Sequence, residues 1–192
     1  IESQETRERF LARLPDYLFG TIGGNTTSLE VRLSDDTIIL FDAGSGIREL
    51  GAQLKKHREI KREYHLFFSH FHWDHLQGLP FFAPLFDPDV TINFYSEDER
   101  FEEHVRGQMR YPYFPVALDI MAAQLKFHVL EGSSINISSS TVSWRKMKHP
   151  GGCRSYAVSE GESKLIFSTD TELSPDDFQR TQENSDYFRG AD

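Results

Sequence analysis

Three histidines and one aspartate fall within six residues, as His70, His72, Asp74 and His75 in Ser69-His70-Phe71-His72-Trp73-Asp74-His75. The segment directly follows the apolar run Tyr64 to Phe68, which reads as a buried strand. A strand exit holds the backbone still while its side chains converge, and a metal-ligand set needs that combination. In extended backbone His70 and His72 share a face. Asp74 and His75, entering the next turn, can face a second, neighbouring point. The cluster therefore offers one nitrogen-rich site and one mixed nitrogen/oxygen site, which suits a borderline cation such as Zn²⁺ better than Ca²⁺ or Mg²⁺. Only eight histidines occur in 192 residues, so three in one short window point to a metal and not to a solvated loop.

The elements around this cluster follow from hydrophobic periodicity. Ser28 to Leu33 alternates apolar and polar residues, Thr37 to Phe41 is a short apolar run, and Ser34-Asp35-Asp36 between them predicts a hairpin turn. After Asp42-Ala43-Gly44-Ser45-Gly46, the spacing of Ile47, Leu50, Gly51 and Leu54 predicts a helix with one buried face. Strands are expected at Tyr64 to Phe68, Val90 to Tyr95, Gln124 to Leu130, Ile135 to Met147, Arg154 to Glu160 and Lys164 to Ser168. Ser96 to Glu99 has the form of a capping box opening a helix to about Met109, and Ser174-Pro175 has the cap and first-turn proline of another. Ile1 to Leu14 reads as a charged, solvated helix. Together these predict an α/β domain over 1–192 with two mixed sheets covered by helices.

Composition narrows the function. Hydrophobic residues make up 38% of the chain and 16 are Phe, so a packed core is available. Thirty acidic against 21 basic residues give a net charge of −9, which opposes tight nucleic-acid binding. A single cysteine, Cys153, excludes an internal disulfide and fits a reducing compartment; it reads as a small buried residue. No stretch approaches the roughly 20 apolar residues of a membrane span, and the charged start at Ile1 lacks a secretory apolar region, so a cytoplasmic protein without membrane contact is expected. Neither a P-loop nor a dinucleotide fingerprint occurs. Ser45 lacks the Gly-x-Ser-x-Gly elbow because position 43 is Ala, so it reads as part of a tight turn supporting the metal loop. Tyr111-Pro112-Tyr113-Phe114-Pro115 fits either the wall of a pocket or partner surface, or a surface loop whose rings cap the core. His57, His65, His104 and His128 are assigned no metal role.

The segment His70 to His75 resembles the His-x-His-x-Asp-His signature of the metallo-β-lactamase-fold hydrolases. Further similarity follows in order: the glycine-rich turn Asp42 to Gly46, Lys148-His149-Pro150-Gly151-Gly152, and Phe167-Ser168-Thr169-Asp170. Gly23 to Thr26, His75 to Phe82 and Met109 to Val116 resemble a phosphodiesterase-like bacterial branch, akin to ribonuclease Z and the cyclic-phosphate phosphodiesterases. The resemblance implies an αββα sandwich with a dinuclear centre at one edge. It gives His70, His72 and His149 to a first metal, Asp74 and His75 to a second, and Asp170 to both. The chemistry of the residues agrees: Pro150 disfavours helix at His149, Gly151-Gly152 lets the backbone pass close to a crowded centre, and Asp170 follows an apolar strand. The family normally adds a histidine in a strand beyond Asp170. This chain has none after His149, so the fold is expected to be incomplete at its C-terminus.

The implied function is hydrolysis of a phosphodiester by a metal-bridging hydroxide, with Asp74 as the catalytic residue that orients it or takes its proton. The implied cofactors are two divalent ions, zinc foremost with manganese or iron as alternatives. A small-molecule or nucleotide-like phosphodiester is the expected substrate, and a homodimer is compatible with the chain. Two other readings stand beside this one. The same centre could hydrolyse a carboxylic ester, thioester, lactone or lactam, or the chain could be a non-hydrolytic metal-binding scaffold.

Overall fold

The computed structural model describes residues 24–56, 62–172 and 181–191. Two sheets face each other. The first runs β1 (Leu29–Arg32), β2 (Ile38–Phe41), β3 (Glu63–Phe67), β4 (Thr91–Ser96) and β5 (Gln124–Val129) in that spatial order, and the second β6 (Ser134–Ile137), β7 (Ser140–Met147), β8 (Cys153–Glu160) and β9 (Ser163–Phe167). β1 and β2 are antiparallel, while β2 to β5 pair in parallel, so the first sheet is mixed. The second is antiparallel throughout.

Period-two alternation splits the core into two layers. Ile38, Leu40, Leu66 and Phe94 turn to one face of the first sheet, where they meet Ile47 and Leu54 of α1 (Gly46–Lys56) and Phe101 and Val105 of α2 (Phe101–Gln108). Ile39, Phe41, Phe67 and Tyr95 turn to the other face and pack against Val142, Trp144, Tyr156 and Val158 of the second sheet. β2 is thus buried on both sides, which accounts for its uninterrupted apolar sequence. Phe41 and Phe67 are fully buried, and each such side chain contributes about 1.5–3 kcal/mol. On the outer face of the second sheet, Tyr187 of α3 (Gln182–Phe188) donates its hydroxyl hydrogen to Ser155 Oγ at 3.0 Å. The layers are therefore helix, sheet, sheet, helix, as the αββα expectation has it. Among the described residues no helix is long and apolar enough to cross a membrane.

Two local expectations need correction. Ser96 does not cap a helix: it closes β4, and its Oγ accepts from the Asp98 amide at 3.2 Å in a turn that delays α2 to Phe101. The stretch Ile135 to Met147 is a hairpin and not one strand. Ser138 adopts φ 52°, the chain reverses at Ser138-Ser139, and Ile137 pairs with Ser140. Serine turns are weak punctuation beside glycine or proline, so period-two alternation ran through this one unbroken. The helices read at Ile1 to Leu14 and Ser174-Pro175 lie outside the described residues, as do Gly23 and His57. The turn at Ser34 to Asp36 is present, with the Asp36 amide donating to Leu33 O at 3.0 Å.

Candidate metal centre

All six residues expected to bind metal stand at one end of the sandwich. His70 and His72 follow β3, Asp74 and His75 lie in a 3-10 turn, Trp73–His75, His149 sits between β7 and β8, and Asp170 follows β9. The strand ends are tied to one another by backbone hydrogen bonds. Arg154 N donates to Ser69 O at 2.9 Å, and Glu172 N to Lys148 O at 2.6 Å. The turn at Gly151 and Gly152 has φ of 80° and 85°, which glycine alone adopts without strain, and it brings the chain round beside His72.

Donor atoms converge into two groups whose members lie within 4.8 Å of one another: His70, His72, His149 and Asp170, and then Asp74, His75 and Asp170. Asp170 Oδ2 is common to both, at 3.6 Å from His70 Nε2, 3.7 Å from His149 Nε2 and 3.4 Å from His75 Nε2. Asp74 Oδ2 lies 3.3 Å from His75 Nε2. His72 turns Nδ1 towards the centre, 3.0 Å from His149 Nε2.

A buried support lies beneath the donors, and sequence reasoning missed it. Asp42, fully buried at the end of β2, accepts from the Ser69 amide at 2.7 Å and from Ser69 Oγ at 2.6 Å. It also accepts from His75 Nδ1 at 2.7 Å. Ser69 Oγ, having given its hydrogen to Asp42, accepts from His70 Nδ1 at 3.0 Å. One carboxylate thereby fixes the tautomer of two histidines, leaving each Nε2 with a lone pair aimed into the centre. Burial holds the Asp42 carboxyl above its ordinary range, against the hydrogen bonds from His75 and Ser69 that lower it. Burial opposes charge on His75 too, but the Asp42 hydrogen bond and the surrounding carboxylates outweigh it and raise its pKa. For His70, burial and the neighbouring histidines bring the pKa down to about 4, so the ring is neutral at pH 7. The only sequence signals were an acid closing an apolar strand and a serine preceding the first histidine.

The Asp42 to Gly46 turn works as read. Ala43 N donates to His75 O at 2.8 Å and Gly78 N to Ala43 O at 2.8 Å, locking the turn to the histidine loop. A Cβ on Gly44 would lie 2.4 Å from Thr27 O and 2.5 Å from Asp74 O, so no other residue fits. Ser45 exchanges hydrogen bonds with Thr26 and is structural. Cys153 is buried, with its thiol pushed up to about 11 by burial, as befits a packing residue. His104 is in neither donor group, yet it lines the cavity of about 440 Å³ beside His70 and His72, where its Nε2 lies 3.1 Å from Asp98 Oδ2. Arg154, paired with Glu97, lines the same cavity. His65 and His128 pair elsewhere, with Tyr95 and Asn93. In the segment Tyr111 to Pro115, Phe114 packs on the core, as the capping reading has it, while Tyr111 and Tyr113 are exposed.

The donor set fits divalent cations on its own terms. His70 Nε2 and His75 Nε2 are buried and make no hydrogen bond in the structure, an arrangement that costs free energy unless something accepts their lone pairs. Neutral imidazoles with shared carboxylates are the ligands of borderline metals.

Residues 37–188 match the family described as the beta-lactamase superfamily domain, and the chain belongs to it. Known structures show the same fold. A metallo-beta-lactamase fold protein, YhfI from Bacillus subtilis, is 17% identical with a TM-score of 0.58 over 81% of this chain and 59% of its own. A diphosphatase of the PhnP family, 17% identical, gives 0.59 over 87% and 58%. The short form of human tRNase Z, 16% identical, gives 0.51 over 76% and 62%. The chain thus spans less than two thirds of each of these proteins. No curated protein sequence matches it.

Proposed function

We propose that the protein is a metal-dependent hydrolase of small phosphodiesters. His70, His72, His149 and Asp170 would hold one divalent ion, and Asp74, His75 and Asp170 the second. The observation that carries the reading is the position of Asp170 Oδ2, which belongs to both donor groups and so favours a pair of neighbouring cations. Held there, such a pair would supply Lewis-acid polarisation of phosphoryl oxygens and would lower the pKa of a bound water. Asp42 holds the His75 ring directly and the His70 ring through Ser69. Asp74, whose side chain is exposed, orients the attacking water and takes its proton at a carboxylate oxygen. Similarity in fold to proteins named as a diphosphatase and a tRNase supports phosphorus over carbon by analogy. Nitrogen-rich donors support zinc, with manganese and iron as the competitors.

Metal analysis of protein purified without added metal, paired with turnover of bis(p-nitrophenyl) phosphate against a thioester and a chromogenic lactam, tests this reading. Phosphodiester hydrolysis that is lost with the metal and restored by zinc is expected. Preferred turnover of the thioester or lactam would sink it. The first donor group has four residues and the second three. Chelator competition on this chain is therefore expected to resolve one tight and one weaker equivalent, with activity following the weaker. Two equally tight equivalents would mean that a further residue completes the second group.

A further inference from the structure

A depression of about 680 Å³ adjoins the metal-centre cavity and shares Phe71 and His104 with it. Its volume is in the range of roughly 300–1,000 Å³ that takes small molecules. Trp73, Arg110 and Tyr113 are among its walls. Trp73 stands inside the histidine motif but is 71% exposed, and Tyr113, on a separate segment, is 65% exposed. Neither ring stacks on another aromatic ring among the described residues. An exposed indole and an exposed phenol ring on one depression beside a candidate centre form an aromatic surface that a flat ligand can cover. Charge in the depression points the same way. Arg100 is paired with Glu103 at 3.1 Å, whereas Arg110 has no ion pair among the described residues. In a chain of net charge −9 this leaves a local guanidinium donor without the broad basic surface that a long polyanion needs.

We propose that this depression binds the non-reacting arm of the substrate and takes a planar heteroaromatic base, as carried by a mononucleotide ester. The base stacks on Trp73, Tyr113 completes the wall, and Arg110 donates to acceptor atoms on the base edge. The proposal rests on the phosphodiester reading, since it supplies what the ester carries.

Trp73 also supplies the readout, because the other tryptophan of the chain, Trp144, is buried between the sheets. Zinc-loaded protein is titrated with adenosine 5′-monophosphate and with ribose 5-phosphate, following tryptophan emission and calorimetry. The nucleotide is expected to quench emission and to bind about tenfold more tightly than the sugar phosphate. Trp73→Ala removes that preference, Trp73→Phe keeps part of it, and Arg110→Gln weakens nucleotide binding several-fold. Tyr113→Ala, remote in sequence from the ligand loop, lowers the preference with zinc content unchanged, so the test does not depend on Trp73 alone. Equal affinity for the two probes, or a preference that survives in both alanine variants, overturns the proposal. Turnover of bis(p-nitrophenyl) phosphate is measured on the same preparation. Turnover without nucleotide preference refutes the base site alone, whereas preference without turnover refutes the phosphodiester reading and with it the assignment to a substrate arm.

Discussion

Asp170→Ala is expected to abolish binding of at least one metal equivalent and to lower phosphodiester turnover by about a thousandfold or more, beyond the roughly 10–100-fold that loss of a supporting partner costs. The reason is positional. Asp170 Oδ2 lies 3.4–3.7 Å from three histidine nitrogens that belong to different donor groups, so one substitution removes a donor from both. The fold should survive, because Asp170 is only half-buried and, among the described residues, the side chain that hydrogen-bonds its carboxylate is that of Thr169. Metal content, turnover and thermal melting of the same preparation check the result. Full occupancy of both equivalents with near-normal turnover would refute the shared role of Asp170. A fall in melting temperature without metal loss would make the residue structural.

Asp42→Ala should act on stability and on the centre together. The carboxylate is fully buried and accepts three hydrogen bonds, so its loss leaves the Ser69 amide, the Ser69 hydroxyl and His75 Nδ1 buried without their acceptor. Breaking a buried charged network of this kind costs about 3–5 kcal/mol. For a domain of this size that is a fall in melting temperature of roughly 6–20 °C. Metal affinity should drop by about 10–100-fold because the His75 and His70 rings lose their fixed tautomers. Asp42 also has φ 58°, a left-handed conformation that asparagine tolerates better than alanine. Asp42→Asn should therefore keep more stability than the alanine variant while still weakening metal binding, since one carboxylate oxygen is replaced by a donor. Denaturation and zinc titration of the two variants separate the effects. Equal metal affinity in Asp42→Asn and the unmodified protein would show that Asp42 serves folding alone.

The cluster of candidate ligands was legible because its chemistry is local. His70, His72, Asp74 and His75 sit within one strand exit and the following turn, so spacing along the chain already determines which side chains can converge. The strands near it were legible for a related reason: β2 is buried throughout and β3 at Tyr64, Leu66 and Phe67, and their apolar residues form short runs. Asp170 carried no signal by itself, whereas His149 before Pro150-Gly151-Gly152 stood out more, and resemblance gave both residues their roles. The Ser138 turn and the late start of α2 were misread because serine side chains offer hydrogen bonds to several local geometries, and the sequence does not say which one the tertiary contacts select.

By itself, the sequence determined the ligand-bearing loop, the glycine-rich turn beneath it and the alternation that yields two facing sheets. Only the tertiary structure decided that Asp42, 27 residues before Ser69, governs the tautomers of both His70 and His75, because a buried hydrogen-bond network depends on strands that pair far apart in the chain. It also decided that Trp73 and Tyr113 wall one depression. Neighbours in space that are remote in sequence leave no periodicity to read, and their proximity is fixed by how the layers pack.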